Sequence, residues 1–348
     1  MKNVLCLARY EELGSSSRVR FYQYFNFLSK VSIRNAPLLT DEYVKKIYSG
    51  RKISLMYLVN RYLRRFALLL KAKENTLWIE KELFPMFPFW IENIFYRGRR
   101  VIVDYDDATF HIYDNHPNKL VRFLLGNKID KVMRRADVVI AGNSYIRDRA
   151  ASAGAREILI VPSAIDIERY EVKKQYDNAR KAIGWLGSPS SQSLLESVFP
   201  VLEEVSRLRE VDFIFVGVRG LPETSFRYQE YNWSLDTEVS MIQKFDIGIM
   251  PVEDKPFQHG KCGFKLIQYL ACGVPIVGSP IGVNKDIIID GKNGYSAISS
   301  DDWVRTLLSL IDDSEKCKIY GVFGRQQVAE HFCIQALFTD IEKALIGD

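Results

Sequence analysis

A chain of 348 residues is longer than one ordinary hydrophobic core supports, so we expect two domains. Hydrophobic residues make up 47% and charged residues 26%, which is typical of a globular protein and excludes extensive disorder. The formal net charge is +5, but Lys and Arg predominate in residues 1–165 and Asp and Glu in residues 166–348. The basic first half therefore suggests a partner that carries phosphate, such as an anionic membrane or nucleic acid.

Short apolar runs alternate with helix-length segments through both halves of the chain. The first half has candidate buried strands at residues 3–8, 75–81, 100–105, 137–143 and 157–163. The second half has candidate buried strands at residues 182–187, 212–217, 246–251, 274–279 and 294–299. Apolar strands separated by helices indicate parallel sheets covered on both faces. We therefore expect an α/β protein with two doubly wound, Rossmann-like domains that face each other across a cleft.

The expected domain boundary lies in the polar segment 164–181, which has no strong strand pattern. Residues 1–165 would form the first domain and residues 166–329 the second. Residues 301–347 have a helical pattern, and the last helix, within 330–348, could pack back on the first domain. Ligands of doubly wound sheets bind beyond the carboxyl ends of the strands, so the loops that follow strands are the places to search.

Cysteine spacing and hydropathy indicate the cellular compartment. The five cysteines are scattered without a CxxC motif, which favours a reduced, cytoplasmic protein. The short apolar run at the N-terminus predicts a first buried strand rather than a signal peptide. No stretch reaches the roughly 20 apolar residues that a membrane span needs, so we expect a soluble or peripheral protein.

Residues 260–280, GKCGFKLIQYLACGVPIVGSP, contain the strongest candidate site. The apolar spacing predicts a helix that begins near Lys261 or Cys262, and Gly273 marks its end. Backbone N–H groups in the first turn of a helix have no intrahelical partner and lie at the positive end of the helix dipole. The N–H groups concerned would be those of Cys262, Gly263 and Phe264.

Glycine and lysine residues at this helix start suggest a bound diphosphate. Gly260 and Gly263 would allow an anion to approach the backbone closely. Lys261 and Lys265 would add positive charge at the same end. Alternatively, two solvated lysines on an ordinary helix would produce the same spacing.

Residues 246–295 resemble the nucleotide-sugar site of the family 4-type glycosyltransferases of the GT-B fold. The similarity rests on the strand end Met250-Pro251, the helix end Ala-Cys-Gly, and the VPIV and DGKNGY segments, in that family's order and spacing. Residues 14–25, 79–85 and 101–110 resemble bacterial members that build surface polysaccharides. The resemblance implies transfer from a nucleotide-diphosphate sugar to a hydroxyl of a glycan or lipid-linked acceptor. It also implies retention of configuration and no metal or other cofactor.

The resemblance also implies roles for individual residues of the second domain. Lys261 and Lys265 would stabilise the leaving diphosphate as catalytic groups, and Gln268 would hold the ribose. The family often has two glutamates eight positions apart, where this chain has Gly260 and Gln268. The absence of the first glutamate leaves the identity of the donor sugar open. The positions that match the base-binding segments are Arg219 and Trp233.

The loop at residues 184–195 is a second candidate phosphate contact. Gly187, Ser188 and Ser190 precede a helix expected to begin near Gln192. Such a turn could offer N–H and hydroxyl groups to a phosphate. A plain helix N-cap would have the same composition.

The serine-rich segment after the first strand is a candidate on the first-domain side. The resemblance implies that Ser15, Ser16 and Arg18 lie near the donor phosphates or the acceptor. An arginine after a serine-rich turn suits phosphate binding. An amphipathic surface helix is the alternative explanation of Arg18.

Carboxylates follow two further strands of the first half. Asp106 and Asp107 end one strand, and His111 lies close behind them. These groups suit binding of acceptor hydroxyls or base catalysis, although a lone histidine is often structural. Glu82 ends another strand and would line the acceptor pocket. The resemblance favours hydroxyl binding by the aspartates over a metal site.

Arginine-rich apolar segments at residues 62–73 and 97–100 suggest peripheral contact with the inner face of the cell membrane. An amphipathic core helix with a basic outer face would give the same pattern. No nucleic-acid-binding motif accompanies the charge, so we expect no nucleic acid partner.

A nucleotide-sugar epimerase of the same fold and a non-catalytic partner in a glycosylation complex are the alternative functions.

Overall fold

The computed structural model describes residues 1–347, which divide into two compact units. The first unit comprises Met1–Ala164, His259–Cys262 and the chain from Leu337 onward. The second unit comprises Ile165–Gln258 and Gly263–Ala336. Each unit contains one six-stranded sheet. Helices flank both sheets, so the α/β prediction with two Rossmann-like domains is confirmed.

The first unit has a parallel sheet in the order β2-β1-β3-β4-β5-β6. Its strands are β1 (Lys2–Leu7), β2 (Val31–Asn35), β3 (Thr76–Glu80), β4 (Arg100–Tyr105), β5 (Val138–Ala141) and β6 (Ile158–Ile160). Its helices are α1 (Ser15–Arg20), α2 (Asp41–Tyr48), α3 (Leu55–Lys71), α4 (Phe89–Tyr96), α5 (Phe110–Asp114), α6 (Lys119–Leu125), α7 (Lys128–Arg135) and α8 (Ser144–Ala153), with a 3₁₀ helix at Tyr22–Tyr24. The order places the carboxyl ends of β1, β3, β4 and β5 side by side.

The second unit has a parallel sheet in the order β12-β11-β10-β7-β8-β9. Its strands are β7 (Lys181–Leu186), β8 (Val211–Val216), β9 (Tyr228–Tyr231), β10 (Ile247–Met250), β11 (Ile276–Gly278) and β12 (Gly294–Ser296). The remaining helices are α9 (Gln192–Glu196), α10 (Phe199–Leu208), α11 (Glu238–Ile242), α12 (Pro256–His259), α13 (Phe264–Ala271), α14 (Asn284–Ile287), α15 (Ser300–Ile311), α16 (Ser314–His331) and α17 (Ile334–Ile346), with a 3₁₀ helix at Pro189–Ser191. Both α12 and α17 contribute residues to both units.

Two strand glycines let aromatic rings pack directly on the second sheet. A Cβ at Gly184 would lie 2.0 Å from Phe245 Cγ, and one at Gly248 would lie 2.4 Å from Tyr269 Cδ2. Tyr269 lies on α13, and its hydroxyl accepts a hydrogen bond of 2.8 Å from the Leu186 N–H at the end of β7. Fully burying such a side chain contributes about 1.5–3 kcal/mol. These contacts fix α13 against the central strands.

The apolar pattern of the sequence did not predict β2 and β9, because they are edge strands with polar side chains. Edge strands need no continuous apolar run, since one side and part of a face remain in water. The predicted start of α13 was wrong, because the helix begins at Phe264 rather than at Lys261 or Cys262. Gly263 precedes it with a φ of 63°, a left-handed conformation that cannot continue a helix backwards. The predicted end is confirmed, since Gly273 has a φ of 72°.

Candidate functional site

The N-terminus of α13 in the second unit is built around Gly263. A Cβ there would lie 2.4 Å from Ile287 Cδ1 and 3.1 Å from Asn284 Oδ1, so packing as well as the positive φ requires glycine. A glycine N-cap has no side chain to accept hydrogen bonds from the first-turn N–H groups. This end of the helix therefore relies on backbone, water or a ligand for those bonds.

Lys265 in the first turn of α13 lies over the loop that follows β7. Its Nζ is 4.1 Å from the centroid of the Trp185 ring and donates a hydrogen bond of 3.3 Å to Ser191 Oγ. A Cβ at Gly187 would lie 2.1 Å from Trp185 Cη2 and 2.8 Å from Lys265 Nζ. The structure thus brings together Lys265 and Gly187, and only glycine leaves room for the ammonium group.

Ser188 caps the short 3₁₀ helix that follows Gly187. The Ser191 N–H donates to Ser188 O at 2.9 Å, and the Ser191 hydroxyl accepts from the Ser188 N–H at 3.3 Å. The Ser188 and Ser190 hydroxyl oxygens are 2.9 Å apart. Helix α9 then begins at Gln192, as the sequence predicts. Ser188 is therefore the N-cap residue of the 3₁₀ helix, and Ser191 is that of α9.

The ends of β7, β8 and β9 meet beside this loop. The Gly187 N–H donates to Val216 O at 2.9 Å. A Cβ at Gly217, whose φ is 79°, would lie 2.2 Å from Gly187 O and 3.3 Å from Trp233 Cβ. Arg219 is exposed, and its backbone N–H donates to Gln192 Oε1 at 2.7 Å. Gly187 and Trp233 therefore lie close to one another in the second unit.

Gln268 lies inside the second unit, in a network of polar side chains. It is 2% exposed, and its Nε2 donates to the Tyr170 hydroxyl at 3.0 Å. Tyr170 donates to Glu238 Oε1 at 2.7 Å, and Trp233 Nε1 donates to Glu238 Oε2 at 2.9 Å. Burial and the Glu238 carboxylate raise the pKa of Tyr170, so its hydroxyl stays protonated. The network connects Gln268 to the Trp233 ring.

Residues 259–262 belong to the first unit, where backbone contacts hold them. Asn143 Nδ2 donates to Gly260 O at 2.8 Å and to Lys261 O at 3.1 Å. A Cβ at Gly260 would lie 2.4 Å from Ala108 N, so this position has no space for a side chain. The structure therefore assigns Lys261 and Lys265 to different units.

Cys262 closes the same segment against the end of β4. Its Sγ donates to Asp106 O at 3.0 Å, and a Cβ at Gly142 would lie 2.4 Å from that sulfur. Burial, with a further contribution from the Asp106 charge, raises the pKa of Cys262 to about 12. The side chain is consequently a packed thiol.

Lys81 joins the two aspartates that follow β4. Its Nζ lies 2.9 Å from Asp106 Oδ1 and 2.8 Å from Asp107 Oδ2. Burial alone would raise the pKa of Asp106, but the Lys81 charge, hydrogen bonds from Ser16 and Lys81, and the Arg20 charge together hold this pKa below its usual value. Lys81 has a φ of 63°, a strained conformation for a residue with a side chain. Sequence reasoning missed Lys81, although a lysine directly after a strand end was a visible signal.

Glu82 lies in a buried ion-pair network rather than on an open surface. Its Oε2 is 2.5 Å from Lys128 Nζ, and Lys128 also lies 2.8 Å from Glu92 Oε1. The Tyr113 hydroxyl lies 2.8 Å from both Glu82 carboxylate oxygens. Glu82 is 4% exposed, so its contacts in this structure are with neighbouring side chains.

The serine-rich segment forms α1, which begins at Ser15. Ser16 hydrogen-bonds the Asp106 carboxylate and helps to lower its pKa. Arg18 is mostly buried, and its Nη1 donates to Glu12 O at 3.0 Å. The segment thus brings Ser16 to the Lys81 cluster and directs Arg18 to the preceding loop.

The neighbouring Ser17 and Arg20, which the sequence did not single out, bind carboxylates at the strand ends. Ser17 Oγ donates to Glu80 Oε2 at 2.5 Å, and Arg20 Nε donates to Asp104 Oδ1 at 2.7 Å.

His111 is bonded at both ring nitrogens. Its Nδ1 is 2.8 Å from Asp114 Oδ1, and its Nε2 is 2.8 Å from the Tyr145 hydroxyl. The Tyr145 ring lies 5.6 Å from the His259 ring. His111 therefore fixes the orientation of Tyr145, and this aromatic group lies in the same unit as the aspartates.

Comparisons with known proteins show the fold and a family match over part of the chain. The crystal structure of Anabaena Alr3699/HepE in complex with UDP and glucose superimposes with a TM-score of 0.73 at 14% identity, covering 100% of both chains. Residues 180–313 match the family model described as glycosyl transferases group 1. Residues 180–313 thus match a group 1 glycosyltransferase domain, and the superposition shows the GT-B fold.

Two curated proteins similar to this chain come from an archaeon and a bacterium. The uncharacterized glycosyltransferase MJ1069 of Methanocaldococcus jannaschii is 22% identical over 258 residues, 68% of this chain and 65% of the relative. The putative teichuronic acid biosynthesis glycosyltransferase TuaH of Bacillus subtilis is 24% identical over 221 residues, 56% of this chain and 54% of the relative. The match thus spans between half and two thirds of the length of these relatives.

Proposed function

We propose that this protein transfers a glycosyl group from a nucleotide-diphosphate sugar to a hydroxyl of a glycan or lipid-linked acceptor, with retention of configuration, in cell-surface polysaccharide synthesis. The observation that carries the proposal is the position of Lys265 in the first turn of α13, above the Gly187 loop. The names of relatives support the pathway, since TuaH is described as a teichuronic acid biosynthesis enzyme. The complex of HepE with UDP and glucose supports a nucleotide-sugar donor.

The second unit would bind the donor. A diphosphate at the N-terminus of α13 would meet the positive end of the helix dipole and the Lys265 ammonium group. The Trp185 ring and Ser191 hold that ammonium group in place before the ligand arrives. Charges fixed in advance stabilise a leaving group more than mobile ones, and such preorganisation is commonly the largest catalytic contribution. Arg219 and Trp233 would contact the base.

The first unit would bind the acceptor. Asp106 and Asp107 would accept hydrogen bonds from sugar hydroxyls, because Lys81 keeps Asp106 ionised. Tyr145, oriented by His111, would present an aromatic face to a sugar ring. We include no metal in the proposal, since the Lys81 ammonium already contacts both aspartates. We place the protein in the cytoplasm, at the inner face of the cell membrane.

Binding of nucleoside diphosphates to the purified protein tests the donor site. UDP, GDP, CDP, ADP and dTDP would be screened by thermal shift, because a ligand that binds the folded state raises its midpoint. Lys265→Met should weaken binding of the best diphosphate at least about tenfold, while Lys285→Met, at an exposed lysine of the same unit, should leave it unchanged. Equal binding by both variants would refute the assignment of Lys265.

Transfer assays with the matching nucleotide sugars then test the reaction. We expect release of the nucleoside diphosphate only when an acceptor glycan is present. Turnover of the sugar without an acceptor would indicate an epimerase. Tight binding of the donor without turnover would indicate a non-catalytic partner, in line with the absence of a side chain at Gly260.

A further inference from the structure

Helix α3 in the first unit exposes an apolar stripe along its whole length. Met56, Val59, Leu63, Phe66 and Leu70 are 41% to 81% exposed. Their spacing of alternately three and four residues places them on one face of the helix. Arg65 and Leu69, on the other side, are buried. The helix therefore turns apolar side chains toward solvent, the reverse of an ordinary surface helix.

The apolar surface continues onto the segment beside α3. Tyr62 packs against Phe87 with ring centroids 5.4 Å apart, and Phe66 packs edge-on against Phe95 at 5.1 Å. Next to these rings, Trp90 is 65% exposed, and Met86 and Ile94 are about half exposed. We call the α3 stripe together with Met86, Phe87, Trp90 and Ile94 the apolar face. Contiguous exposed apolar surfaces of this kind usually mark interaction sites.

Positive charge borders the apolar face, and negative charge is missing from its main helix. The sequence of α3 contains no Asp or Glu. Arg61 and Arg65 are directed inward, where they donate to backbone carbonyls such as Leu38 O and Ala8 O. Exposed cations remain at the ends and along the side of the helix: Arg51, Lys52, Arg64, Lys71 and Lys73.

The basic segment 97–100 contributes less than the sequence suggested. Arg99 donates to Ala72 O at 2.7 Å, and Arg100 donates to Ala344 O at 3.1 Å. Only Arg97 of the three arginines is fully exposed. The available charge therefore lies beside α3.

These features fit a lipid surface better than a second protein. Among residues 1–347, no helix combines the length and the apolar composition needed to cross a bilayer. An exposed apolar stripe edged by cations matches a helix that lies in the plane of an anionic membrane. A second copy of this chain would instead place like charges opposite one another, without acidic residues on α3 to pair with them.

We propose that the apolar face lies on an anionic lipid bilayer, with α3 parallel to the surface. The stripe and Trp90 would enter the boundary between headgroups and hydrocarbon, and Arg64, Lys71 and Lys73 would contact lipid phosphates. This inference rests on the proposed position at the inner face of the cell membrane and names the surface responsible. It can fail without the transfer reaction, because lipid binding requires neither donor nor acceptor.

Sedimentation with lipid vesicles tests the proposal. Vesicles of phosphatidylcholine alone would be compared with vesicles that contain about one third phosphatidylglycerol. We expect the protein to sediment with the anionic vesicles and to be released at about 1 M salt, where electrostatic attraction is screened. Leu63→Glu should raise the lipid concentration needed for half-binding at least about tenfold, because a charge replaces an apolar group that would enter the bilayer. Ile298→Glu, at a residue 82% exposed in the second unit, is the matched control and should bind as before.

Three results would overturn the proposal. The first is failure of the protein to sediment with anionic vesicles, and the second is equal binding by Leu63→Glu and Ile298→Glu. The third is a dimer in solution that Leu63→Glu converts to a monomer, with no vesicle binding by either protein, which would assign the face to a second copy. Leu63 is 65% exposed, so its substitution should leave the thermal midpoint near that of the unmodified protein.

Discussion

Replacing Lys81 by methionine would test whether this residue controls the charge of the aspartate pair. The Lys81 ammonium lies within 2.9 Å of both Asp106 and Asp107, and Lys81 is 6% exposed. Methionine keeps most of the side-chain length and removes the charge. The two carboxylates would then lie side by side without their cation, so the variant should destabilise the first unit.

The contacts of Lys81 set the size of the expected effect. Removing one partner of a buried ion pair costs about 3–5 kcal/mol. The Asp106 and Asp107 side chains are 13% and 25% exposed, so water relieves part of the repulsion and the lower end, about 3 kcal/mol, applies. For a unit of this size, such a loss lowers the thermal midpoint by roughly 6–12 °C.

The effect of Lys81→Met should depend on pH in a defined direction. In the unmodified protein the folded pKa of Asp106 is lowered, so its contribution to stability is present above the unfolded pKa and is lost as pH falls through the folded pKa. Without Lys81, burial would raise the Asp106 pKa, so the charged form would destabilise the variant as pH rises through that value. The midpoint difference from the unmodified protein should therefore be larger at pH 8 than at pH 5.

Differential scanning calorimetry at pH 5 and pH 8 measures this effect as the midpoint of the transition in which the first unit unfolds. Lys119→Met, at an exposed lysine of the same unit, is the control and should shift the midpoint by less than about 2 °C. A midpoint shift below about 2 °C for Lys81→Met would show that Lys81 does not set the charge of the aspartate pair. An equal decrease of the midpoint at pH 5 and pH 8 would show the same.

Two substitutions toward the residues that relatives often carry should also destabilise the chain. Gln268→Glu places a carboxyl beside the Tyr170 hydroxyl, which already donates to Glu238. We expect the free energy of unfolding to fall by ~1–3 kcal/mol at pH 8, because the buried carboxylate has no donor. At pH 5 the carboxyl is largely protonated and most of the stability returns, which the thermal midpoint measures. Gly260→Glu brings a Cβ within 2.4 Å of Ala108 N and should cost ~1–3 kcal/mol; Gly260→Ala should cost about the same, and a harmless Gly260→Ala would contradict the packing argument.

The central strands of both sheets were predictable because both of their faces are buried. Residues 100–105 and 212–217 contain the apolar runs 101–103 and 213–216, which lie in β4 and β8. The edge strands β2 and β9 were not predictable, since their residues pair on one side only and need no apolar pattern. A strand of that kind is recognisable only once its neighbour in the sheet is known.

The sequence by itself determined where α13 ends, at Gly273, because the backbone conformation there depends on local residue type. It also showed that glycines and lysines cluster around residues 260–273. Only the tertiary structure decided which side chains meet. Lys265 reaches Gly187 because α13 packs on β10 and β7, and Lys81 joins Asp106 because β3 lies beside β4. Glu82 enters a buried network with Lys128 for the same reason. Contacts between residues far apart in sequence depend on strand order and helix packing, which local spacing does not encode.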